Sequence, residues 1–284
     1  MNNQNFIKLS EEFFVDSDFA IPFHKYGLTT IDEVFNFTAG ENLNKDNLSK
    51  HRSRLKFHLD ELDTTLFLKR YDRPPILVQL KNWFAHLKRA STSSFDRMPS
   101  AELNPAGIKT PKIIGYGEQW GRVFEKRSFI ITQKIPDAES LEHKLPDFFY
   151  RNPLLQNQKQ RRGFINSLAD FTRKFHETRF CHRDFYLAHI FMTDDGKFYL
   201  IDLQRTFKPG IFGNRFRRKD ITQLYYSAPG EYFTRSDRLR FYLRYKNKSK
   251  LKWTDRLFFR LVQAKAWRMA DHDIKHNRPV PFAM

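Results

Sequence analysis

The chain has 284 residues, of which 40% are hydrophobic and 30 are phenylalanine, so it can form one large domain or two lobes around a sizeable core. Its single cysteine, Cys181, excludes an internal disulfide, and nothing here indicates an oxidising compartment. The 50 Lys and Arg against 32 Asp and Glu give a net charge of +18, which favours polyanionic partners such as nucleic acid, an anionic membrane or a phosphorylated lipid.

No targeting or membrane-spanning segment is predicted. The opening stretch, MNNQNFIKLSEEFF, has neither the basic start nor the apolar core of a secretory signal. No apolar run approaches the ~20 residues that cross a bilayer. We therefore expect a cytoplasmic protein. Residues 1–50 read as short, mixed elements to which no chemistry is assigned.

A β-hairpin is the first element with a clear pattern. Residues 54–59 (RLKFHL) alternate in polarity, residues 60–63 form a turn, and residues 65–71 (TLFLKRY) return. Lys69 lies near the end of the second strand. In protein kinases a strand lysine binds the α- and β-phosphates of ATP and pairs with an acidic residue of a following helix. Lys69 is therefore a candidate nucleotide-binding residue, although a lone strand lysine is usually a solvated edge residue.

The acidic partner of Lys69 is expected in the next helical segments. A helix is predicted over residues 75–90, after which the polar run STSS breaks it and a short segment, 99–104, follows. Glu102 in this segment is the preferred partner, and Asp96 is the alternative. Both are candidates because the lysine of a kinase needs a carboxylate to hold it in place.

The chain lacks the Gly-rich phosphate loop that precedes the strand lysine of protein kinases. The turn at residues 50–54 is predicted to cover the phosphates instead, with basic side chains and backbone amides. The chain therefore departs from the protein-kinase pattern at this point.

Two further strands are predicted before a change of lobe. Residues 112–116 and 128–133 are apolar, β-branched runs typical of sheet strands. The second run ends at residues 134–136, where we expect a hinge. The chain is thereby divided into an N-lobe of residues 1–134 and a C-lobe of residues 135–284.

The hinge is also the predicted adenine site. In kinase folds the hinge presents backbone groups to the adenine ring, so the main chain of Thr132, Gln133 and Ile135 is expected to bind it. Beyond the hinge, residues 156–178 are predicted to form a long helix with one apolar face. That face consists of Phe164, Leu168, Phe171 and Phe175.

The catalytic residues are predicted in the stretch CHRDFYLAHIFMTDDGKFYLIDLQ. Residues 182–184 are His-Arg-Asp, His189 follows five positions after the aspartate, and Asp202 ends a strand-like run at 198–201. The protein-kinase pattern is HRDxxxxN followed by the metal-binding aspartate of DFG. Order and spacing agree with that pattern, with His189 in place of the asparagine and Asp-Leu-Gln in place of DFG.

Phosphoryl transfer explains why these residue types occur together. The reaction needs a carboxylate to accept the proton of the attacking hydroxyl and cations to neutralise phosphate charge. Asp184 is predicted to be the base, with Arg183 in the same catalytic motif, and Asp202 is predicted to hold Mg²⁺. His189 is a candidate for the metal site, or for donating a hydrogen bond to a phosphate oxygen or to Asp184. The alternative is a chance HRD and a strand-end aspartate that only forms a turn.

A basic, irregular segment is predicted over residues 205–219, followed by helices at 220–226, 235–245 and 254–275. Two arginine-rich groups are candidate docking sites for a polyanion, or else solvated charged faces. They are Arg215, Arg217, Arg218 and Lys219, and then Arg235, Arg238, Arg240 and Arg244.

These segments resemble the bacterial lipopolysaccharide core kinases, the heptose and Kdo kinase group, and the heptose kinase branch most. The resemblance rests on FLKRY around Lys69, GIKTPKIIGYGE, SFIITQ, HRDFYLAHIF, YLIDLQR, RFRRKDITQLYYS and TRSDRLRFYLRY. It implies an α+β, protein-kinase-like fold of two lobes, with a small, mainly β N-lobe and a larger helical C-lobe. It also implies that Asp220 braces the catalytic loop.

The resemblance further implies an ATP- and Mg²⁺-dependent kinase that phosphorylates a sugar hydroxyl, preferably of a heptose, on the lipopolysaccharide inner core. Its partners would be the lipid A–core glycolipid and the anionic inner-membrane surface, on the cytoplasmic face, and nucleic acid is not expected. The alternatives are a kinase of another acceptor, a protein or small molecule, or a non-catalytic kinase-like module that binds anionic membrane or nucleic acid.

Overall fold

The computed structural model describes residues 5–43, 51–150 and 158–281. The chain divides into two compact units, and a short stretch before the predicted hinge belongs to the second. Unit 1 comprises Met1–Pro105 and Thr110–Pro136, and unit 2 comprises Ala106–Lys109 and Asp137–Met284. The boundary after Pro136 thus falls two residues after the predicted one.

Unit 1 contains an antiparallel sheet with the strand order β1-β2-β6-β7-β5-β4-β3. Its strands are β1 (Phe6–Ser10), β2 (Phe13–Asp16), β3 (Glu41–Asn42), β4 (Arg52–Leu59), β5 (Thr64–Asp72), β6 (Ile113–Trp120) and β7 (Glu125–Gln133). The predicted hairpin is confirmed as β4 and β5. Of the predicted phosphate-covering turn at residues 50–54, residue 50 lies outside the described residues and residues 52–54 belong to strand β4.

One face of this sheet carries the core of unit 1. Leu66 and Leu68 of β5 are fully buried, and they join Phe57, Phe129 and the N-terminal Phe13 in one cluster. The period of two in a strand places Lys69 on the opposite face from these leucines. Residues of β1, β2 and the helices α1 (Ala20–Lys25) and α2 (Ile31–Asn36) pack on the same core. The N-terminal region therefore extends the sheet of unit 1, a role that its sequence did not indicate.

Two more helices of unit 1 follow β5, namely α3 (Ile76–His86) and α4 (Thr92–Leu103). The predicted break in the Ser/Thr run is wrong, because Ser91 is the N-cap of α4 and its hydroxyl accepts from the Ser94 amide at 3.2 Å. The amide and hydroxyl of Thr92 both donate to Glu125 at 2.7 Å. These bonds attach the start of α4 to strand β7.

Unit 2 is mainly helical. A three-stranded sheet has the order β10-β9-β8 and is formed by β8 (Ala138–Ser140), β9 (Ile190–Thr193) and β10 (Phe198–Leu200). The helices are α5 (Leu141–Tyr150), α6 (Gln158–Glu177), α7 (Gly213–Ser227), α8 (Arg235–Tyr245) and α9 (Trp253–Lys275). Within the described ranges, no helix is both long and apolar enough to span a membrane.

The helix predictions for unit 2 are confirmed except at the basic segment. The four predicted core residues of α6, including Phe164 and Phe175, are buried. The segment 205–219 is not irregular throughout, since α7 begins at Gly213. Residues 213–219 (GNRFRRK) are mostly polar or charged, so they lack the apolar stripe from which the start of a helix is recognised.

Candidate active site

Asp220 holds the backbone of the loop that carries Asp184. Its side chain is fully buried in α7, and its two carboxylate oxygens accept the backbone amides of His182 at 2.8 Å and Arg183 at 2.9 Å. Arg183 has a φ of 70°, a left-handed conformation that is costly for a residue other than glycine. Asp220 therefore braces the predicted catalytic loop, as the resemblance implies.

Two further side chains of α7 bind the same loop. Gln223 donates to the Arg183 carbonyl at 2.7 Å and accepts the Phe185 amide at 3.1 Å. The Ser227 hydroxyl accepts the Leu187 amide at 3.0 Å. Positions 220, 223 and 227 lie on one helix face, so α7 determines the path of the loop. The spacing of these polar residues by three and four is visible in the sequence.

His189, at the position of the asparagine in the protein-kinase pattern, forms a hydrogen bond to the main chain. Its Nδ1 lies 2.7 Å from the carbonyl oxygen of Asp184. A carbonyl can only accept, so Nδ1 carries a proton and donates this bond. Nε2 is left for a second partner, which can be a cation or a phosphate oxygen. The carboxylate of Asp184 is not its partner.

Two backbone hydrogen bonds of the preceding residue, Ile201, position Asp202. The Ile201 amide donates to the His189 carbonyl at 3.1 Å, and the Ile201 carbonyl accepts Nε2 of His182 at 3.0 Å. Burial lowers the pKa of His182, so its ring is neutral and donates from Nε2. Asp202 itself is left-handed, with a φ of 56°. Residues with such strained backbone conformations cluster at functional sites, where the surrounding structure holds them in place.

The carboxylate of Asp184 forms an ion pair that sequence reasoning missed. Nη1 of Arg205 lies 2.8 Å from one carboxylate oxygen and 2.9 Å from the other. Arg205 is half-exposed, whereas Asp184 is more enclosed. Burial and the charge of Arg205 lower the pKa of nearby Lys219. The signal for Arg205 was its position in YLIDLQR, one of the segments that carry the resemblance.

Arg183 and Cys181 contribute structure around the loop. The Arg183 guanidinium lies over the ring of Phe207, 5.5 Å from its centroid. Cys181 and Phe207 exchange two backbone hydrogen bonds, of 2.9 and 3.1 Å. Cys181 is fully buried, and burial, reinforced by Asp220, raises the pKa of its thiol to about 12. These contacts join the segment after Asp202 to the start of the catalytic loop.

The two predicted metal residues differ in how well they fit Mg²⁺, because a carboxylate suits this hard cation and an imidazole is a poor ligand for it. Mg²⁺ is usually bound by one or two carboxylates, with water and substrate phosphates completing its shell. Asp202 supplies such a carboxylate, and His189 presents Nε2 as described above. In the parts of the chain that the structure describes, no group of three or more His, Cys, Asp or Glu side chains could hold a metal ion. A site made mostly by the protein is therefore not found among these residues.

In unit 1, Lys69 pairs with Asp96, and the preference for Glu102 is wrong. Nζ of Lys69 lies 2.6 Å from Oδ2 of Asp96, and both side chains are largely buried. Six residues of α-helix correspond to a rotation of about 240°, so Glu102 lies on another face of α4 and is exposed. The misplaced helix start led to the wrong choice.

The three residues of the predicted adenine site differ in the hydrogen bonds that their backbones already make. Thr132 pairs with neighbours on both sides of β7, and the Gln133 amide donates to the Lys112 carbonyl at 2.9 Å. Ile135 lies beyond the end of the ladder pairing, and its side chain is buried. Ile135 is therefore the residue of the three whose backbone is best placed to serve a ligand.

Comparisons with known proteins give consistent results. The family model described as "Lipopolysaccharide kinase (Kdo/WaaP) family" matches residues 78–245, more than half of the chain. Over 146 residues the chain is 30% identical to the lipopolysaccharide core heptose(I) kinase WaaP of Pseudomonas aeruginosa, covering 49% of this chain and 53% of that protein. The WaaP of Escherichia coli K12 is 32% identical over 146 residues, covering 49% and 54%. The chain thus spans about half the length of the curated relatives it matches.

A solved structure described as WaaP in complex with acyl carrier protein is similar in fold. The TM-score is 0.63 at 23% sequence identity, and the match covers 84% of this chain and 91% of the other. At this identity the likeness shows the fold alone. It confirms the α+β, protein-kinase-like fold that the sequence predicted.

Proposed function

Because the chain belongs to the Kdo/WaaP lipopolysaccharide kinase family, we propose that it transfers the γ-phosphoryl group of ATP to a sugar hydroxyl of the lipopolysaccharide inner core. Relatives named heptose(I) kinase support a heptose as the acceptor. The observation that carries the proposal is the catalytic loop. Asp220 holds the two backbone amides before Asp184, and His189 bonds to the Asp184 carbonyl. Asp202 follows Ile201, whose amide donates to the His189 carbonyl.

Asp184 orients the acceptor hydroxyl and accepts its proton. Arg205 forms an ion pair with this carboxylate and, being half-exposed, can turn towards an incoming phosphoryl group. Mg²⁺, when bound, neutralises charge on the phosphate oxygens, and Asp202 and His189 are the residues that would hold it. Arg183 acts through the loop, since its contacts are with Phe207 and, through its backbone, with α7.

ATP binding is assigned to residues of unit 1. Lys69, held by Asp96 at 2.6 Å, contacts the α- and β-phosphates, as the strand lysine of kinases does. The backbone around Ile135 receives the adenine, with Thr132 and Gln133 forming the strand that leads to it. Glu102 has no part in this assignment.

The acceptor is the lipid A–core glycolipid, and the reaction takes place at the anionic cytoplasmic face of the inner membrane. Several arginines first considered for this surface instead bind protein groups, including Arg217 at the His176 carbonyl, Arg238 at three carbonyls and Arg244 at Asp170. A second cationic cluster replaces them. It consists of Arg215 and Arg218 of α7 with Lys265 and Arg268 of α9. The two helices pack together, and burial and the charges of the three arginines lower the pKa of Lys265.

This cluster fits the phosphates of an anionic glycolipid, because like charges held together favour an anion between them. Replacing Arg215 and Arg218 with glutamine should raise the KM for acceptor at least tenfold and leave the KM for ATP within twofold. Arg235→Gln, an exposed arginine outside the cluster, is the control and should change neither constant. An equal loss in the control would contradict the assignment.

The proposed function is tested by transfer from labelled ATP to core lipopolysaccharide that lacks heptose phosphate. The wild type should add phosphate to one heptose, located by fragmentation mass spectrometry, and Asp184→Asn should abolish transfer while ATP affinity stays within twofold. Asp194→Asn, a mostly exposed carboxylate of the β9–β10 turn, is the matched control. Transfer to a protein or a free sugar, with none to lipopolysaccharide, would refute the proposal.

A further inference from the structure

Helix α3 presents apolar side chains to solvent. Leu77 is 79% exposed, Phe84 76% and Leu87, just after the helix, 91%. Of the residues in α3, Gln79 alone is fully buried. A surface helix normally turns its apolar stripe towards the core, and adjoining exposed apolar residues mark an interaction site.

The inner face of α3 is firmly attached, so this exposure is not that of a detached helix. The side chain of Gln79 donates from Nε2 to the Pro74 carbonyl at 2.8 Å. Its Oε1 accepts the backbone N–H of Glu125 at 2.9 Å. Nε1 of Trp83 donates to the Ala90 carbonyl at 2.8 Å, and its ring stacks on Phe124. The helix is therefore fixed with its other apolar face outward.

The exposed face has the composition of an interfacial helix. At about 100° per residue, Leu80, Phe84 and Leu77 fall within about 60° of arc, and Lys81 lies about 40° beyond them. Residues 73–90 contain four cationic side chains and no Asp or Glu. An apolar stripe bordered by lysine and arginine is typical of helices that lie in a membrane surface.

A neighbouring turn continues the same surface. Nη2 of Arg89 donates to the Val123 carbonyl at 2.7 Å, which joins the end of α3 to the β6–β7 turn. Val123 is 47% exposed, and Arg122 and Lys126 beside it are exposed cations. The apolar residues and the cations therefore extend together from the helix to the turn.

We propose that α3 and the 121–124 turn form a docking surface for an anionic lipid bilayer. The apolar side chains of Leu77, Phe84 and Leu87 enter the boundary between headgroups and acyl chains, and the flanking cations meet the lipid phosphates. The inference rests on the proposed function in that the acceptor glycolipid is held in a membrane. A second copy of the chain fits less well, because a two-fold contact would bring the lysines of two α3 helices together with no carboxylate from either.

The test is flotation with vesicles of phosphatidylglycerol and phosphatidylcholine, compared with phosphatidylcholine alone. Wild-type protein should bind the anionic vesicles. Leu77→Gln combined with Phe84→Gln should lower the partition coefficient at least tenfold. Ile21→Gln, which removes an apolar side chain that is 70% exposed elsewhere in unit 1, should change it less than twofold. Lys81→Gln combined with Lys88→Gln should weaken binding mainly at low salt, because salt screens the charge attraction.

Undiminished binding by the Leu77 and Phe84 double variant would overturn the inference. So would a wild-type dimer in sedimentation velocity that this variant abolishes, since the surface would then be an interface between copies. Transfer to detergent-dispersed core lipopolysaccharide, measured without vesicles, should be unchanged in the variant. Absence of that transfer in the wild type would count against the proposed function, whereas the vesicle result tests the docking surface by itself.

Discussion

Asp220→Asn is the substitution that tests most directly whether α7 sets the geometry of the catalytic loop. The two oxygens of Asp220 accept two backbone amides, at 2.8 and 2.9 Å, in a fully buried place. Asparagine keeps the shape but offers one oxygen, so its amide group faces one of the backbone N–H groups. A buried donor without its acceptor costs about 1–3 kcal/mol, and a charge-assisted bond is lost as well.

We therefore expect the ordered loop to be disfavoured by about 2–3 kcal/mol, equivalent to about 30- to 150-fold. The assay is steady-state transfer to core lipopolysaccharide together with an ATP titration. The kcat should fall at least tenfold, while ATP affinity stays within twofold because Lys69 and Asp96 are in unit 1.

The control is Asp237→Asn. Asp237 is equally buried in α8, where it binds Arg161 and caps the helix with Thr234, so its loss should lower the melting temperature but leave kcat within twofold. If Asp220→Asn also kept a wild-type kcat, or if both variants lost activity in proportion to stability, the idea that α7 positions the loop would be refuted.

Three further predictions concern single groups. Lys69→Ala and Asp96→Ala should each weaken ATP binding at least tenfold in calorimetry, whereas Glu102→Ala should match the wild type; a loss only in the Glu102 variant would restore the sequence-based choice. His189→Asn replaces an imidazole nitrogen by an amide, so the ratio of Mn²⁺- to Mg²⁺-supported kcat should fall several-fold; an unchanged ratio would remove His189 from the metal site. The pKa of the His182 ring is lowered in the folded protein, so below about pH 6.5 the unfolded chain binds a proton that the folded chain does not. The stability of the protein should therefore fall as the pH drops below about 6.5. A His182→Asn variant whose melting temperature depends on pH in the same way would contradict this.

The sequence predicted best the segments whose pattern is periodic and local. The alternation in β4 and β5 and the apolar stripe of α6 depend on neighbours within a few residues, and both elements are confirmed. The start of α4 was mistaken because serine both interrupts and caps helices. The difference is decided by Glu125, 33 residues away from Thr92, and no local pattern contains that information.

The same limit applies to the candidate site. Asp184, His189 and Asp202 were found because a motif preserves their order and spacing. Gln223, Ser227 and Arg205 bind the loop from 21 to 40 residues further along the chain, where only the fold brings them close. The arginine groups were misjudged for a related reason. Charge in a sequence does not show whether an arginine faces solvent or, like Arg238, satisfies backbone carbonyls.

The buried thiol of Cys181 makes the chain a convenient host for a single probe. A cysteine reacts as its thiolate, and with a pKa of about 12 and full burial this thiol stays protonated at neutral pH. The protein has no other cysteine. Alkylating dyes and spin labels should therefore leave the native chain unmarked, and a Phe84→Cys variant should take up one equivalent at one known place. A label that changes polarity at that position when vesicles are added would report the depth of α3 without any background from the rest of the chain.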